Sequence, residues 1–397
     1  MMSKVFHSFT GYLLKRFLGK CEFGNITFIF PDKVKYDFFG NQEGPTAEIE
    51  LRSFKTVRLL FQGGYLGLAE GYILGDWTTP SLPDLFAFGI ANQEILDKSL
   101  SGTTIVTSIN KLNHFVRRNS RPGSRRNIAE HYDLGNEFFS KWLDSSLTYS
   151  SALFDGPKWQ DLYEAQEKKY ARIVKNLKIK NDDRVLEIGC GWGGFAEFVA
   201  LETGAEVTAI TISGEQHDYA SERIERVGLS DQVKILIRDY RDIEEKFDAI
   251  VSIEMLEAVG EAYWSDYFSA LNNALARGGQ AIIQVITIPD ELFNEYRRTI
   301  DFIQTYIFPG GMLIPPSKIR EFGKKENLAI VDEHMFGLSY SKTLEIWRKN
   351  FLDRWHEIEP LGFDSQFKRM WEYYLSYTSA GFKAGILNVG QFHLVKN

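Results

Sequence analysis

Val185-Leu186-Glu187-Ile188-Gly189-Cys190-Gly191-Trp192-Gly193-Gly194-Phe195-Ala196-Glu197-Phe198-Val199 is the stretch from which the fold is read. An apolar run ends in a cluster of glycines, and an amphipathic helical pattern follows at once. That order describes a strand feeding a helix through a turn whose backbone comes close to a ligand, an approach that glycine permits. Gly189, Gly191 and Gly194 fit G-x-G-x-x-G, and the acid Glu187 stands two residues before the first of them.

The glycine spacing alone fits NAD, FAD and S-adenosylmethionine (SAM) alike. A dinucleotide site expects an acid about twenty residues on, at the end of the second strand, to hold a ribose. Here that strand reads Glu206-Val207-Thr208-Ala209-Ile210-Thr211-Ile212-Ser213, with its only acid at its start and Thr211 and Ser213 at its end. This counts against NAD, and it also departs from the usual class I methyltransferase pattern. The third strand, Val233-Lys234-Ile235-Leu236-Ile237, leads into Arg238-Asp239-Tyr240-Arg241-Asp242, where an acid can meet an adenine amine. These residues favour SAM over a dinucleotide.

Working outward, helices and strands alternate from about residue 127 to 288, the signature of a parallel sheet with crossover helices. The pattern predicts helices at 161–177, 193–203 and 214–227, and strands near 205–212, 233–237, 247–252 and 280–286. Residues 290–360 keep helical periodicity around Phe308-Pro309-Gly310-Gly311-Met312-Leu313-Ile314-Pro315-Pro316 and read as a lid insertion. A last pair of strands is expected at about 370–395. Ahead of the alternation, residues 1–100 read as a small α+β unit with strands at 26–30 and 47–51 and a helix at 54–62.

Composition narrows the function classes. Thirty Phe and eighteen Tyr in 397 residues suit a roomy apolar pocket and an aromatic-rich core equally. A net charge of -7 gives no electrostatic case for nucleic acid. Yet from Lys98 to Ala129 there is no acid, while Lys98, Lys111, Arg117, Arg118, Arg121, Arg125 and Arg126 are basic. Segment 98–126 therefore suits anionic lipid headgroups or a solvated linker. Cys21 and Cys190 support neither a disulfide scaffold nor a zinc site, and point to a reducing cytosol. No apolar run approaches the roughly 18 residues that span a bilayer, and no secretory h-region is present. The expectation is a cytoplasmic protein, peripheral at the inner membrane face, with no metal.

Several further stretches carry a resemblance. His131-Tyr132-Asp133-Leu134-Gly135-Asn136-Glu137-Phe138-Phe139 leads to Leu147-Thr148-Tyr149-Ser150-Ser151-Ala152, and Val251-Ser252-Ile253-Glu254-Met255-Leu256-Glu257-Ala258-Val259-Gly260 follows later. Then come Tyr306-Ile307-Phe308-Pro309-Gly310-Gly311, Phe336-Gly337-Leu338-Ser339-Tyr340 and Trp371-Glu372-Tyr373-Tyr374-Leu375. With the glycine turn and Leu66-Gly67-Leu68-Ala69-Glu70-Gly71-Tyr72, these resemble the cyclopropane-fatty-acyl-phospholipid synthases over nearly the whole chain.

The resemblance implies a class I SAM-dependent methyltransferase fold, Rossmann-like with a mostly parallel sheet, and a small α+β N-terminal domain. Its parts would be 1–100, a basic linker at 101–126 and a catalytic domain at 127–397 with the lid at about 290–360. It implies SAM contacts from Tyr149, Ser150, Glu187, Gly189, Gly191, Thr211, Ser213, Gln216, Asp239 and Tyr240. The implied reaction is attack of an acyl-chain alkene on a sulfonium methyl, followed by proton loss to a base. Tyr306 and Phe308 are candidates to face the resulting cation. The family's base is a bicarbonate held by a cysteine, a glutamate, a histidine and a tyrosine, which correspond to Ser151, Glu257, Gln284 and Tyr340. Gln284, and Ala258 where bacterial members carry histidine, look like the plant branch of the family.

The resemblance further implies an unsaturated phospholipid substrate and a homodimer. Cyclopropane and methylene- or methyl-branched products both stay open. N-methylation of a small amine would leave the N-terminal unit and the basic segment without a purpose. The intact glycine turn, Glu257 and Tyr340 argue against a catalytically inert lipid carrier.

Overall fold

Alternation of buried and half-buried side chains builds the first sheet of the computed structural model, which describes residues 14–15, 18–53, 55–100, 134–156 and 161–397. β1 (Phe23–Ile29) turns Ile26 and Phe28 inward, and β3 (Gln42–Leu51) turns Ala47, Ile49 and Leu51 to the same face. β2 (Lys35–Phe39) and β4 (Trp77–Thr78) complete the order β2-β1-β3-β4, in which β1 and β3 run parallel. Gly24 holds a bulge in β1: its φ is +71°, and a Cβ there would fall 2.0 Å from the Pro45 carbonyl oxygen.

Helices α1 (Lys55–Ile73, bent at Gly64), α2 (Leu82–Ala91) and α3 (Gln93–Leu100) follow in this unit. α2 begins where the Ser81 hydroxyl accepts the Asp84 N–H at 3.3 Å, and it buries Leu82, Leu85 and Phe88. Asn92, 2% exposed, fastens helix to sheet. It accepts the N–H groups of Glu22 and Phe23 at 2.9 and 3.1 Å and donates to the carbonyls of Phe23 and Phe88 at 2.8 and 3.0 Å.

The second sheet comprises β5 (Arg184–Ile188), β6 (Glu206–Thr211), β7 (Val233–Ile237), β8 (Phe247–Ile253), β9 (Leu275–Thr287), β10 (Leu328–Met335) and β11 (Asn388–Lys396). Its order is β10-β11-β9-β8-β5-β6-β7. The strands from β7 to β9 are all parallel, and β11 runs antiparallel between β9 and β10. β5 is paired with β6 on one side and β8 on the other, so the strand order reverses there and a crevice opens at the C-terminal strand ends.

The accompanying helices are α4 (Asn136–Ser140), α5 (Leu162–Leu177), α6 (Gly194–Thr203), α7 (Gly214–Arg226), α8 (Trp264–Ala274), α9 (Asp290–Tyr296), α10 (Pro316–Lys325), α11 (Gly337–Asp353), α12 (Trp355–Ile358) and α13 (Ser365–Lys383). The parallel sheet and its crossover helices thus lie where the alternation places them. The expected last pair of strands does not form. Trp371, Tyr374, Leu375 and Phe382 recur at helical spacing and are buried on one side of α13, which leaves 388–396 as the single strand. Segment 290–360 carries helices and also β10, a member of the main sheet. Residues 101–126 of the basic segment lie outside the described residues; Lys98 pairs with Glu94 at 2.5 Å on the surface of α3.

One continuous apolar core joins the two sheets, running from Phe28 and Leu51 through Trp77 to Trp142, Trp347 and Trp371. Arg369 of α13 bolts the parts together. It donates to the carbonyls of Tyr72 and Trp77, and its guanidinium stands 3.9 Å over the Tyr72 ring.

Candidate active site

The glycine turn lies over the crevice. The N–H groups of Gly189 and Cys190 donate to the Ile210 carbonyl at 2.9 and 3.0 Å, which ties the turn to β6. Gly189 has φ +82°, and a Cβ there would press on Met255 at 3.0 Å. Only glycine meets both demands. Gly191 has φ +53° with open space where its Cβ would stand, at the wall of a cavity. Glu187, 3% exposed, ends one carboxylate oxygen without a partner among the described residues, and burial pushes its carboxyl up to about 8. A buried acceptor beside a backbone that admits close approach fits the ammonium of SAM.

The other expected cofactor residues distribute unevenly. Thr211 donates to Gln216 Oε1 at 2.9 Å, and both line the cavity. Ser213 does not line it; its hydroxyl caps α7 by accepting the Gln216 N–H at 3.3 Å. Asp239 and Tyr240 reach the cavity, but the Asp239 carboxylate already accepts Arg241 Nε and Nη2 at 2.8 and 2.5 Å. Tyr149 shares a 2.8 Å hydroxyl contact with Tyr374, and Ser150 accepts Lys169 Nζ at 2.6 Å. Of the two aromatic candidates, Phe308 lines the cavity, while Tyr306 turns its hydroxyl to Glu70 at 2.9 Å.

The catalytic candidates converge on a residue that sequence reasoning passed over, Glu254. Its Oε1 accepts the Ser151 N–H at 2.9 Å and Gln284 Nε2 at 2.8 Å, and its Oε2 accepts the Tyr340 hydroxyl at 2.6 Å. Ser151, expected to offer its hydroxyl, uses it on the Ala152 carbonyl at 2.9 Å and contributes backbone instead. Glu257 stands beside this group. One of its oxygens accepts the Ile286 N–H, and the other has no partner among the described residues. Burial, reinforced by the Glu254 charge, pushes the Glu257 carboxyl up to about 8. Burial also raises Glu254, against the pull of the Tyr340 hydrogen bond, the Lys169 charge and the remaining donors.

A signal for Glu254 exists in the sequence: an acid directly after the buried run of β8, at the strand end where a doubly wound sheet binds ligands. Lys169 was missed as well. It is fully buried, donates to Ser150 Oγ and Gln166 Oε1 at 2.6 Å each, and burial draws it down to about 7. Gln166 in turn donates to the carbonyls of Thr148 and Ser150, so α5 holds segment 148–150 over the glycine turn.

Glu187, Glu254 and Glu257 all face one cavity of about 990 Å³. It continues past Phe302 and Tyr373 to Leu85 and Phe28, inside the N-terminal unit. Its far walls are mostly apolar, with Asp97 among them, while Glu187, Glu254 and Glu257 lie together at the sheet end.

A parallel sheet with one reversed strand, a glycine turn after β5 and a cavity at the switch point define a class I SAM-dependent methyltransferase fold. Residues 119–392 match the family described as mycolic acid cyclopropane synthetase. The chain belongs to this family of SAM-dependent methyltransferases. It is 37% identical over 348 residues to the tuberculostearic acid methyltransferase UfaA1 of Mycobacterium tuberculosis, covering 86% of this chain and 81% of the relative. It is 34% identical over 353 residues to the cyclopropane-fatty-acyl-phospholipid synthase of Escherichia coli K12, covering 87% of each. The crystal structure of mycolic acid cyclopropane synthase CmaA1, complexed with SAH and CTAB, superposes with a TM-score of 0.65 at 26% identity, over 68% of this chain and 98% of that one.

Proposed function

We propose that the chain adds one carbon from SAM across the double bond of an unsaturated acyl chain of a membrane phospholipid and closes a cyclopropane. The observation that carries this reading is the cavity, which joins a carboxylate cluster beside the glycine turn to a long apolar interior. That shape suits a hydrocarbon chain whose middle must reach the reacting group. When bound, SAM supplies a sulfonium methyl electrophilic enough for an alkene to attack.

The protein's own residues supply position and environment. Gly189 and Gly191 let the backbone approach the cofactor, and Glu187 takes its ammonium. Thr211, Gln216, Asp239 and Tyr240 surround the nucleoside, with Ser213 acting through the start of α7. Tyr149 and Ser150 close the site from the segment held by α5. Enclosure keeps water from a positively charged acyl chain, and the faces of Phe308 and Tyr373 offset that charge. Burial and the neighbouring Glu254 favour the protonated form of Glu257, which spares the site two adjacent charges.

A second product is favoured by one observation, the 37% identity to a tuberculostearic acid methyltransferase. Methyl transfer is common to both readings. A methylene-branched chain follows when a hydride first shifts to the cationic carbon and the new methyl then loses its proton without closing a ring. Saturating that double bond to a methyl branch takes a separate reductant. Mass spectrometry and proton NMR of lipids after incubation with SAM and oleoyl-phospholipid vesicles separate the cases. A gain of one CH₂ with upfield ring protons identifies the cyclopropane. Vinylidene protons identify the methylene product, and no mass gain with SAM bound refutes both. Segment 98–126 would dock a homodimer on the anionic inner face of the membrane. Charge reversal at Arg117, Arg118, Arg125 and Arg126 then weakens binding to anionic vesicles more than to neutral ones, and equal binding to both refutes the docking.

A further inference from the structure

The family resemblance implies a bicarbonate held by positions 151, 257, 284 and 340, and the residues present do not fit it. Three of those four positions direct their donors at a carboxylate that the chain already carries. The Ser151 N–H, Gln284 Nε2 and Tyr340 hydroxyl reach Glu254 at 2.9, 2.8 and 2.6 Å. A dissolved anion would have to displace a tethered one that is always at hand. The Ser151 hydroxyl, which could have served a free anion, is turned to the Ala152 carbonyl.

The backbone supports this independently. Glu254 has φ +51°, the left-handed region that glycine adopts freely and that strains other residues. Its N–H is fixed to the Gln284 carbonyl at 2.8 Å. Such strain persists where the surroundings over-determine a conformation, and it clusters at reacting centres. Here it delivers the carboxylate to the cavity wall that Glu257 also lines, the latter with one oxygen that has no partner among the described residues.

We infer that the Glu254 carboxylate is the enzyme's own general base and takes the place of a bound bicarbonate. The assignment rests on the reaction proposed above. Once an alkene carbon has bonded the methyl and the thioether has left, the acyl chain carries one positive charge. A C–H bond of the new methyl then breaks. Its electron pair forms the third ring bond, and its proton goes to a Glu254 oxygen, leaving a neutral carboxylic acid that returns the proton to water when product departs.

The test is turnover of oleoyl-phospholipid vesicles by the wild-type enzyme in buffer stripped of carbon dioxide, with and without added bicarbonate. The rate is expected to be the same in both. Product that forms only with bicarbonate overturns the base assignment and leaves the methyl transfer standing. No product in either buffer overturns both. In stripped buffer, Glu254→Gly should lose about 10²–10⁴-fold in kcat with SAM affinity by calorimetry unchanged, and it should regain rate on titration with bicarbonate or formate, because glycine vacates the donors without straining the backbone. Undiminished turnover by Glu254→Gly, or by the isosteric Glu254→Gln, refutes the assignment.

Discussion

Tyr340→Phe removes one hydroxyl and leaves a ring that packs 4.5 Å from Phe382. The lost group is the 2.6 Å donor to Glu254 Oε2. A hydrogen bond to a charged acceptor contributes about 1.5–3 kcal/mol, and one pKa unit corresponds to about 1.4 kcal/mol. The bond favours the ionised carboxylate, so its loss should raise the proton affinity of Glu254. A base must be ionised to act. The acid limb of the kcat–pH profile should therefore move alkaline, leaving the variant about 10- to 100-fold slower than wild type on that limb, with little change on the plateau. Glu257 and Lys169 also titrate near neutrality against this group, but the substitution leaves both in place, so the difference between the two profiles reports Glu254. The assay is methyl incorporation into phospholipid at saturating SAM across the pH range, with SAM affinity measured alongside. A variant that loses rate equally at every pH refutes the reasoning, since Tyr340 would then act through packing alone.

Gly191→Asp should fold normally, because Asp tolerates a positive φ and the space is open; by calorimetry, SAM affinity should fall by at least about tenfold, near 1.4 kcal/mol. Glu257 binds its proton more tightly folded than unfolded, so between its ordinary range and about 8 the folded state loses stability as pH rises. Glu257→Gln cannot ionise and keeps the acceptor for Ile286, so its melting temperature should gain on wild type between pH 5 and 8.5, by an amount on the order of a few kcal/mol in stability. An unchanged difference across that window would mean that Glu257 is not held protonated. Asn92→Ala strips partners from four backbone groups between α2 and β1, and denaturant titration should show a loss of about 2–4 kcal/mol.

The parts of this protein governed by local pattern were legible in its sequence. Gly189 announces the turn because a side chain there would be strained at its positive φ and pressed on Met255, and the apolar runs of β5, β6 and β8 read directly as buried parallel strands. The Trp371–Phe382 region was misread as strand because aromatic residues suit either element, and only packing against α11 and the N-terminal unit decides between them. The candidate catalytic cluster was half legible. Tyr340 and Gln284 were picked out, but the carboxylate they serve lies three residues before the expected Glu257. The place of Glu254 directly after β8 marks it as a site residue, but only the left-handed backbone there turns its carboxylate, and not that of Glu257, to the donors. Lys169 stayed hidden because its charge resembles that of any lysine on a helix until the tertiary fold closes over it.

β11 is the last of the seven sheet strands to be synthesised, yet it sits between two others. Until residues 388–396 are in place, β9 presents a bare edge. Filling that gap also orders the candidate site. Gln391 lies opposite Gln284, donates to its Oε1 at 3.1 Å and is itself held by Arg172 at 3.0 Å, which leaves the Gln284 NH₂ aimed at Glu254. A slip of one residue in β11 would send Gln391 to the opposite face of the sheet. Such a molecule would keep its glycine turn and its pocket, but the amide beside its base would swing loose. On the mechanism proposed above, the register of β11 is thus a condition for activity as much as for folding.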